Sequence, residues 1–248
     1  MNTIIIPLAG LSSRFFNAGY KLPKFMLPIS ANQTMFEWSV ISFKEYFDKD
    51  LFLFVCKDNY GTPKFIDQQI KKLHISNYEI VVLPNDTLGQ ADTVYQGISR
   101  SKNLDLIRTG SLYIFNIDSK LLNFKKAPFE NTCDGYLEVF KEDGEQWSFV
   151  VPGDNLTVLK TTEKIRVSDL CSNGLYYFKN CYDFISCHEY LRDNAIFSKG
   201  ELYIAPMYNY LISKNKNIKY FEIPRKDVVI CGTPSDYVVL TNALQETM

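Results

Sequence analysis

Near the start of the chain, the stretch PLAGLSSRFFNAGYKLPK sets Ala9, Gly10, Ser12 and Ser13 just before Arg14, with Lys24 further on behind Pro23. Small side chains let a backbone approach a ligand closely and let consecutive N–H groups form an anion nest. The planar fork of an arginine suits phosphate oxygens, and a proline stiffens the chain that carries the following lysine. Together these residues suit a phosphorylated ligand. The run is neither a Walker loop, since no Gly-Lys-Ser/Thr follows, nor G-x-G-x-x-G. A carboxylate, Asp118, stands at the end of another apolar run, Leu112–Ile117, where an oxygen-seeking cation such as Mg²⁺ could be held. Taken singly, each has an ordinary reading: a lone Arg or Lys is a solvated charge, and an Asp at a strand end is a turn residue. Their joint placement points to a site.

Apolar runs of strand length recur at Ile4–Leu8, Leu51–Cys56, Ile80–Leu83 and Leu112–Ile117. Between them, Phe36, Val40, Phe43 and Phe47 fall at helical spacing, as do Ile66, Ile70 and Leu73, and Ala91, Val94, Tyr95 and Ile98. Alternating strands and helices predict an α/β fold with a mixed, mainly parallel sheet flanked by helices. After about residue 130 short strands follow one another: Gly135–Phe140, Trp147–Val151, Leu156–Leu159 and Leu175–Phe178. Helical spacing returns over Tyr182–Leu191 and Leu202–Leu211, then strands over Ile218–Ile223 and Val228–Ile230, and Pro234 suits the start of a closing helix. One domain over residues 1–248 is expected. Ligands of open α/β sheets bind outside the carboxyl ends of the strands, so the Leu8–Lys24 loop and Asp118 converge on one edge.

Lys plus Arg (27) nearly balances Asp plus Glu (28), which argues against a nucleic-acid footprint or an anionic membrane surface. No apolar stretch has the length of a bilayer span, and no basic segment precedes Ile4-Ile5-Ile6 as in a signal peptide. The six dispersed cysteines form no C-x-x-C pair and read as reduced and structural in a cytoplasmic protein. Cys187 and His188 are adjacent and lack partners at metal-ligand spacing. The 18 Phe and 16 Tyr read as a compositional bias and not as an aromatic cage.

PLAGLSSRF followed by Pro23-Lys24 and Leu27-Pro28-Ile29 resembles the signature of the nucleotidyltransferases that make activated sugars and alcohols, among them sugar-1-phosphate nucleotidylyltransferases and phosphocholine cytidylyltransferases. Leu88-Gly89-Gln90-Ala91 resembles the base-contacting segment, and Asn116-Ile117-Asp118 the metal-binding strand end. Thr162-Glu163-Lys164 with Cys171–Phe178 resembles the acceptor-side motif, and Cys231–Tyr237 the closing Gly-Thr-Pro helix start. More narrowly, AGLSSRFFNAGY, TLGQADTVYQG, LYIFNID, GYLEVF and ELYIAPMYN are similar to the CTP:phosphoglutamine cytidylyltransferases of bacterial capsule biosynthesis.

The resemblance implies a Rossmann-like nucleotide-diphospho-sugar transferase fold, with a nucleotide-binding half (1–130) and an acceptor-binding half (131–248). It implies CTP and a small phosphorylated acceptor, phosphoglutamine, as substrates, with Mg²⁺ as cofactor. Arg14 and Lys24 would be catalytic, and Leu8, Ala9, Gly10, Ser12, Ser13 and Gln90 would bind nucleotide. Glu163, Lys164, Glu201 and Tyr203 would bind acceptor, and Asp118 the metal. Both substrates are anions whose approach must be neutralised, and such transfers are catalysed mainly by positioning and electrostatics. No general base is needed, because the attacking phosphate oxygen is already ionised.

One departure stands out. Where many relatives carry a second metal-ligating Asp, two residues before Gly-Thr, this chain has Ile230. The second ligand is then missing, supplied by another residue such as Asp227, or unnecessary. A sugar-1-phosphate or phosphocholine acceptor is the alternative within the enzyme class. A nucleotide-binding regulatory subunit is the alternative outside it.

Overall fold

The computed structural model describes residues 1–246. In chain order its strands and α-helices are β1 (Thr3–Pro7), α1 (Ser13–Asn17), β2 (Pro28–Ser30), β3 (Gln33–Thr34), α2 (Met35–Val40), β4 (Leu51–Lys57), α3 (Thr62–Leu73), β5 (Tyr78–Leu83), α4 (Gln90–Arg100), α5 (Leu104–Thr109), β6 (Leu112–Phe115) and β7 (Ser119–Leu121). There follow β8 (Gly135–Lys141), β9 (Ser148–Pro152), β10 (Val158–Glu163), β11 (Leu170–Phe178), α6 (Cys181–Asp193), α7 (Met207–Ser213), β12 (Ile218–Glu222), β13 (Val228–Ile230) and α8 (Pro234–Glu246).

Strand β1 lies at the centre because its residues are apolar on both faces. Ile5 joins Leu53, Ile114, Val94, Ile98 and Phe184 on one side. Ile4 and Ile6 join Phe52, Phe54, Phe115, Phe36 and Phe43 on the other. Alternate side chains of a strand point to opposite faces, so a continuous apolar run marks a strand covered on both. The aromatic bias fills the second face: the Phe43 ring meets Phe115 at 5.0 Å and Phe124 at 4.7 Å.

Among the described residues the main sheet has nine strands, with β10-β9-β11-β6-β1-β4-β5 in one row and the β8–β12 pair branching from β11. Strands β1, β4, β5 and β6 are parallel neighbours. The chain steps outward from β1 to β4 and β5, then returns to the opposite side of β1 as β6. This reversal opens a crevice at the carboxyl ends of β1 and β6, where open α/β sheets take ligands. Antiparallel β11 then lies on β6, so the later half of the chain extends the same sheet and walls the crevice.

Two helices depart from the spacing read in the sequence. Phe36 to Phe47 is not one α-helix: α2 ends at Val40 and a 3-10 helix runs over Ile41–Tyr46, bent at Phe43. All four aromatic and aliphatic positions are nevertheless buried in one cluster. The segment Leu202–Leu211 is helical only from Met207, because Pro206 stands at the helix entry and the chain before it packs flat against Gly89. The strand expected at Leu175–Phe178 starts earlier, at Leu170, and that expected at Leu156–Leu159 starts at Val158, after a 3-10 turn over Asp154–Leu156.

Candidate active site

The crevice is a cleft of about 1980 Å³ lined by every site residue proposed from the sequence. A pocket for one small ligand occupies roughly 300–1,000 Å³, so this cleft has room for two substrates.

At its first end, the Leu8 N–H donates to the carbonyl of Val55 at 2.7 Å, holding the start of the loop against β4. Ala9 and Gly10 continue it, and Ser12 takes a left-handed conformation, φ 51°, that turns the chain into α1 at Ser13. Buried Phe15 anchors that turn against Tyr20 and Tyr237. The Ser12 hydroxyl accepts the Lys24 N–H at 3.2 Å, tying both arms of the loop together. Arg14 is thereby left exposed in the cleft, with no side-chain partner among the described residues. Lys24 is half-buried, and its ammonium forms an ion pair with Asp118 Oδ1.

Asp118 is fixed from the other side. Its carbonyl accepts the Cys231 N–H at 2.7 Å, and β13 pairs with β7 so that Ile230 lies opposite Ser119. A side-chain carbon added at Gly232 would stand 3.7 Å from Asp118 Oδ2, so backbone faces that oxygen without blocking it. Ile230 lines the cleft where a second acid would be expected, and burial pushes the thiol of neighbouring Cys231 up to about 12. Asp236 is engaged in capping α8, accepting the Gly232 and Thr233 N–H groups at 3.1 and 2.9 Å. Asp227 lies at the far end of β13, where its carbonyl accepts the Leu122 N–H and its carboxylate accepts from Asn123. It does not line the cleft. Among the described residues no group of three or more His, Cys, Asp or Glu could hold a metal ion. Asp118 could hold Mg²⁺ together with ligands from a bound triphosphate and water, since that ion commonly binds through one or two carboxylates plus phosphates and waters.

The middle of the cleft is built by Leu88-Gly89-Gln90. Gly89 has φ +129°, and a side-chain carbon there would meet the Leu202 backbone nitrogen at 2.7 Å. The close approach allows two hydrogen bonds: the Leu202 N–H donates to the Leu88 carbonyl at 2.7 Å, and the Ala91 N–H to the Leu202 carbonyl at 2.9 Å. Gln90 opens α4 and donates through Nε2 to Asn116 Oδ1. The Asn116 N–H in turn donates to the carbonyl of Gly174 on β11 at 3.1 Å.

At the second end, Lys164 donates to the Tyr203 hydroxyl at 2.6 Å and lies 4.3 Å above that ring. Its ammonium is 3.6 Å from Glu163, which also accepts from Ser148. Burial pushes the Glu163 carboxyl up, against the opposing pull of Ser148 and Lys164. Burial opposes the Lys164 ammonium, but Tyr203, Glu163 and Glu201 outweigh it and raise its affinity for the proton. Glu201 lines the same wall, one residue before the Leu202 that bonds to Leu88 and Ala91. The structure therefore brings together Leu8, Ala9, Gly10, Ser12, Ser13, Arg14, Lys24 and Asp118 at one end, Gln90 between, and Glu163, Lys164, Glu201 and Tyr203 at the other.

Residues that the sequence reading did not single out also face the cleft, among them Asn173, Arg225 and Lys226. The adjacent cations just before β13 were the available signal for the last two.

No family model and no curated protein matches the chain. Among solved structures, a nucleoside-diphosphate-sugar pyrophosphorylase from Vibrio cholerae RC9 is 41% identical, with a TM-score of 0.87 over 96% of this chain and 99% of that one. The inositol-1-phosphate CTP transferase from T. maritima is 15% identical, with a TM-score of 0.73 over 99% and 97% of the two chains. A UDP-glucose pyrophosphorylase complexed with UDP-glucose is 14% identical, with a TM-score of 0.74 over the whole of both chains. The two distant structures share the fold, and the Vibrio structure shares the sequence across its length. The chain belongs to the nucleoside-diphosphate-sugar pyrophosphorylase family of nucleotidyltransferases.

Proposed function

We propose that this chain transfers a nucleotidyl group from a nucleoside triphosphate to a small phosphorylated acceptor and releases pyrophosphate. One observation carries the reading: a free Arg14, the Lys24–Asp118 pair and the acceptor-side residues Glu163, Lys164, Glu201 and Tyr203 share a single cleft. An acceptor phosphate oxygen attacks the α-phosphorus, the bond from that phosphorus to the bridging oxygen breaks, and the electron pair leaves with pyrophosphate. Arg14 would bind the β- and γ-phosphates as charge gathers on the leaving group. Lys24 would turn from Asp118 to the α-phosphate and the incoming phosphate. Fixed cations aimed at developing charge are worth several powers of ten in such transfers. Asp118 would hold Mg²⁺ together with the triphosphate, and the ion would neutralise phosphate charge. We place the reaction in the cytoplasm, where free thiols persist; among the described residues all six cysteines are free and buried, and no helix is long and apolar enough to cross a membrane.

For the acceptor, the 41% identical relative supports a sugar 1-phosphate. A second reading is CMP transfer from CTP to phosphoglutamine, as the motif resemblance implies. It is favoured by the charged acceptor end, where Glu163, Glu201 and Lys164 could meet the ammonium and carboxylate of an amino acid. Gln90 would read the base, since an amide can meet both a donor and an acceptor of cytosine. Pyrophosphate release from CTP, UTP, dTTP, ATP and GTP, each with sugar 1-phosphates, phosphocholine and phosphoglutamine, tests the proposal. Release that requires both substrates supports it, and the productive pair identifies the acceptor. Silence with every pair, alongside nucleotide binding, would favour a regulatory subunit.

A further inference from the structure

Behind the nucleotide segment lies a buried ionisable pair that the proposed reaction does not use. His188 on α6 is 1% exposed and stacks on Tyr95 of α4 with ring centroids 4.1 Å apart. Its Nε2 is 3.2 Å from Asp92 Oδ1, and its Nδ1 meets no hydrogen-bonding partner among the described residues. The other oxygen of Asp92 is held locally: Oδ2 accepts the Leu88 N–H at 2.9 Å and the Gln96 amide at 2.8 Å. Burial pushes the Asp92 carboxyl up, but the hydrogen bonds from His188, Leu88 and Gln96 outweigh it and hold the group below the usual carboxylate range.

An Asp in the first turn of a helix ordinarily needs no histidine, because the helix end itself favours its charge. Here a residue 96 positions away is buried against it, at the cost of a ring nitrogen left without a partner. An apolar side chain would fill that space without an unpartnered ring nitrogen, but it would take the donor away from Asp92 Oδ1. What the histidine adds is one directed donor. The carboxylate it fixes holds the N–H of Leu88, while the carbonyl of Leu88 is held by Leu202. Both backbone polar groups are thus clamped immediately before Gly89 and Gln90.

We propose that His188 and Asp92 are positioning residues for nucleotide selection: His188 donates through Nε2–H to Asp92, whose carboxylate fixes the Leu88 N–H and so sets where Gln90 meets the base. The inference rests on the nucleotidyl-transfer reading. His188→Leu removes the donor at similar volume, whereas His188→Gln keeps an amide Nε2 that reaches the same place. Calorimetric titration of the full-length chain with CTP, UTP, ATP and GTP in Mg²⁺ measures the effect without an acceptor. His188→Leu should weaken the preferred triphosphate about tenfold, the equivalent of one well-placed hydrogen bond. It should also narrow the spread of affinities among the four, and His188→Gln should restore most of both. Asp92→Ala, which removes both acceptor oxygens and so frees the Leu88 N–H, should resemble His188→Leu and serves if that variant does not fold. Unchanged affinities in a folded His188→Leu or Asp92→Ala protein would overturn the inference alone. So would an equal loss for all four triphosphates, or a folded His188→Gln no better than His188→Leu. Wild-type protein that binds none of the four would instead overturn the reading on which it rests.

Discussion

Glu138 on β8 is a carboxyl with 1% exposure, and among the described residues its hydrogen bond is accepted from Asn173 Nδ2 at 2.7 Å. Asn173 borders the cleft, and its carbonyl accepts the hydroxyl of Ser119, next to Asp118, at 3.0 Å. Burial pushes Glu138 up to about 8, so the folded chain keeps it protonated at neutral pH. A carboxyl raised on folding contributes most below its unfolded value of about 4.3 and loses that contribution as pH rises through the folded value, at about 1.4 kcal/mol per pH unit. Glu138→Gln keeps the acceptor for Asn173 and carries no charge. Its melting temperature should therefore rise relative to wild type between pH 5 and 8, and parallel pH profiles in thermal denaturation would contradict this. Asp118 makes a second residue-scale test, because Asp227 stands three positions from Ile230 at the opposite end of β13. Asp118→Asn should lose activity at low Mg²⁺ and regain part of it at high Mg²⁺ or with Mn²⁺. Asp227→Asn should titrate like wild type, and the reverse ranking in a Mg²⁺ titration would show that the metal site has been misassigned.

Two segments meet across Gly89: Leu88–Gln90, proposed to meet the nucleotide, and Glu201–Tyr203, proposed to meet the acceptor. Because Leu202 bonds to Leu88 and Ala91, displacing one segment displaces the other. Gly89→Ala would force a carbon to 2.7 Å from the Leu202 nitrogen at a φ of +129°, which no alanine adopts without strain. The variant should lose about 1–3 kcal/mol of stability and raise KM for both substrates. A rise for the triphosphate alone, in steady-state kinetics with each substrate varied, would show that the segments are independent. This junction was hidden in the sequence for a local reason. Leu202, Ala205, Tyr208 and Leu211 are all buried and fall at helical spacing, yet Leu202 belongs to a non-helical stretch that pairs with Leu88 and Ala91, and Ala205 to the turn before α7, where its carbonyl accepts the Tyr208 N–H and the Thr161 hydroxyl. The burial of Leu202 comes with that pairing, and spacing alone cannot tell it from a helix face. The strands β1, β4 and β6 were legible because burial on both faces demands unbroken apolar runs.

At the scale of the molecule, a small-residue loop after β1, an acid after β6 and a later half that walls the crevice follow from one reversal of strand order at β1. The loop and Asp118 could be read in advance because their motifs are local. The Asp92–His188 pair could not, since its partners lie on different helices and each alone looks like an ordinary core or capping residue. Asn173 and Asp236 lay within segments that the motifs marked, but their partners were not legible: one bonds across the sheet to Glu138, and the other caps α8. The fold assembles a cleft with Arg14 and Lys24 at one end and Glu163, Lys164, Glu201 and Tyr203 at the other, and the proposed function requires Arg14 and Lys24 to carry the phosphate chemistry. Steady-state pyrophosphate release by Lys24→Ala and Arg14→Ala, with circular dichroism and melting temperature as controls, tests this most directly. Turnover should fall by about 10²–10³-fold in each variant with the fold retained. A folded Lys24→Ala protein that releases pyrophosphate at the wild-type rate would contradict it.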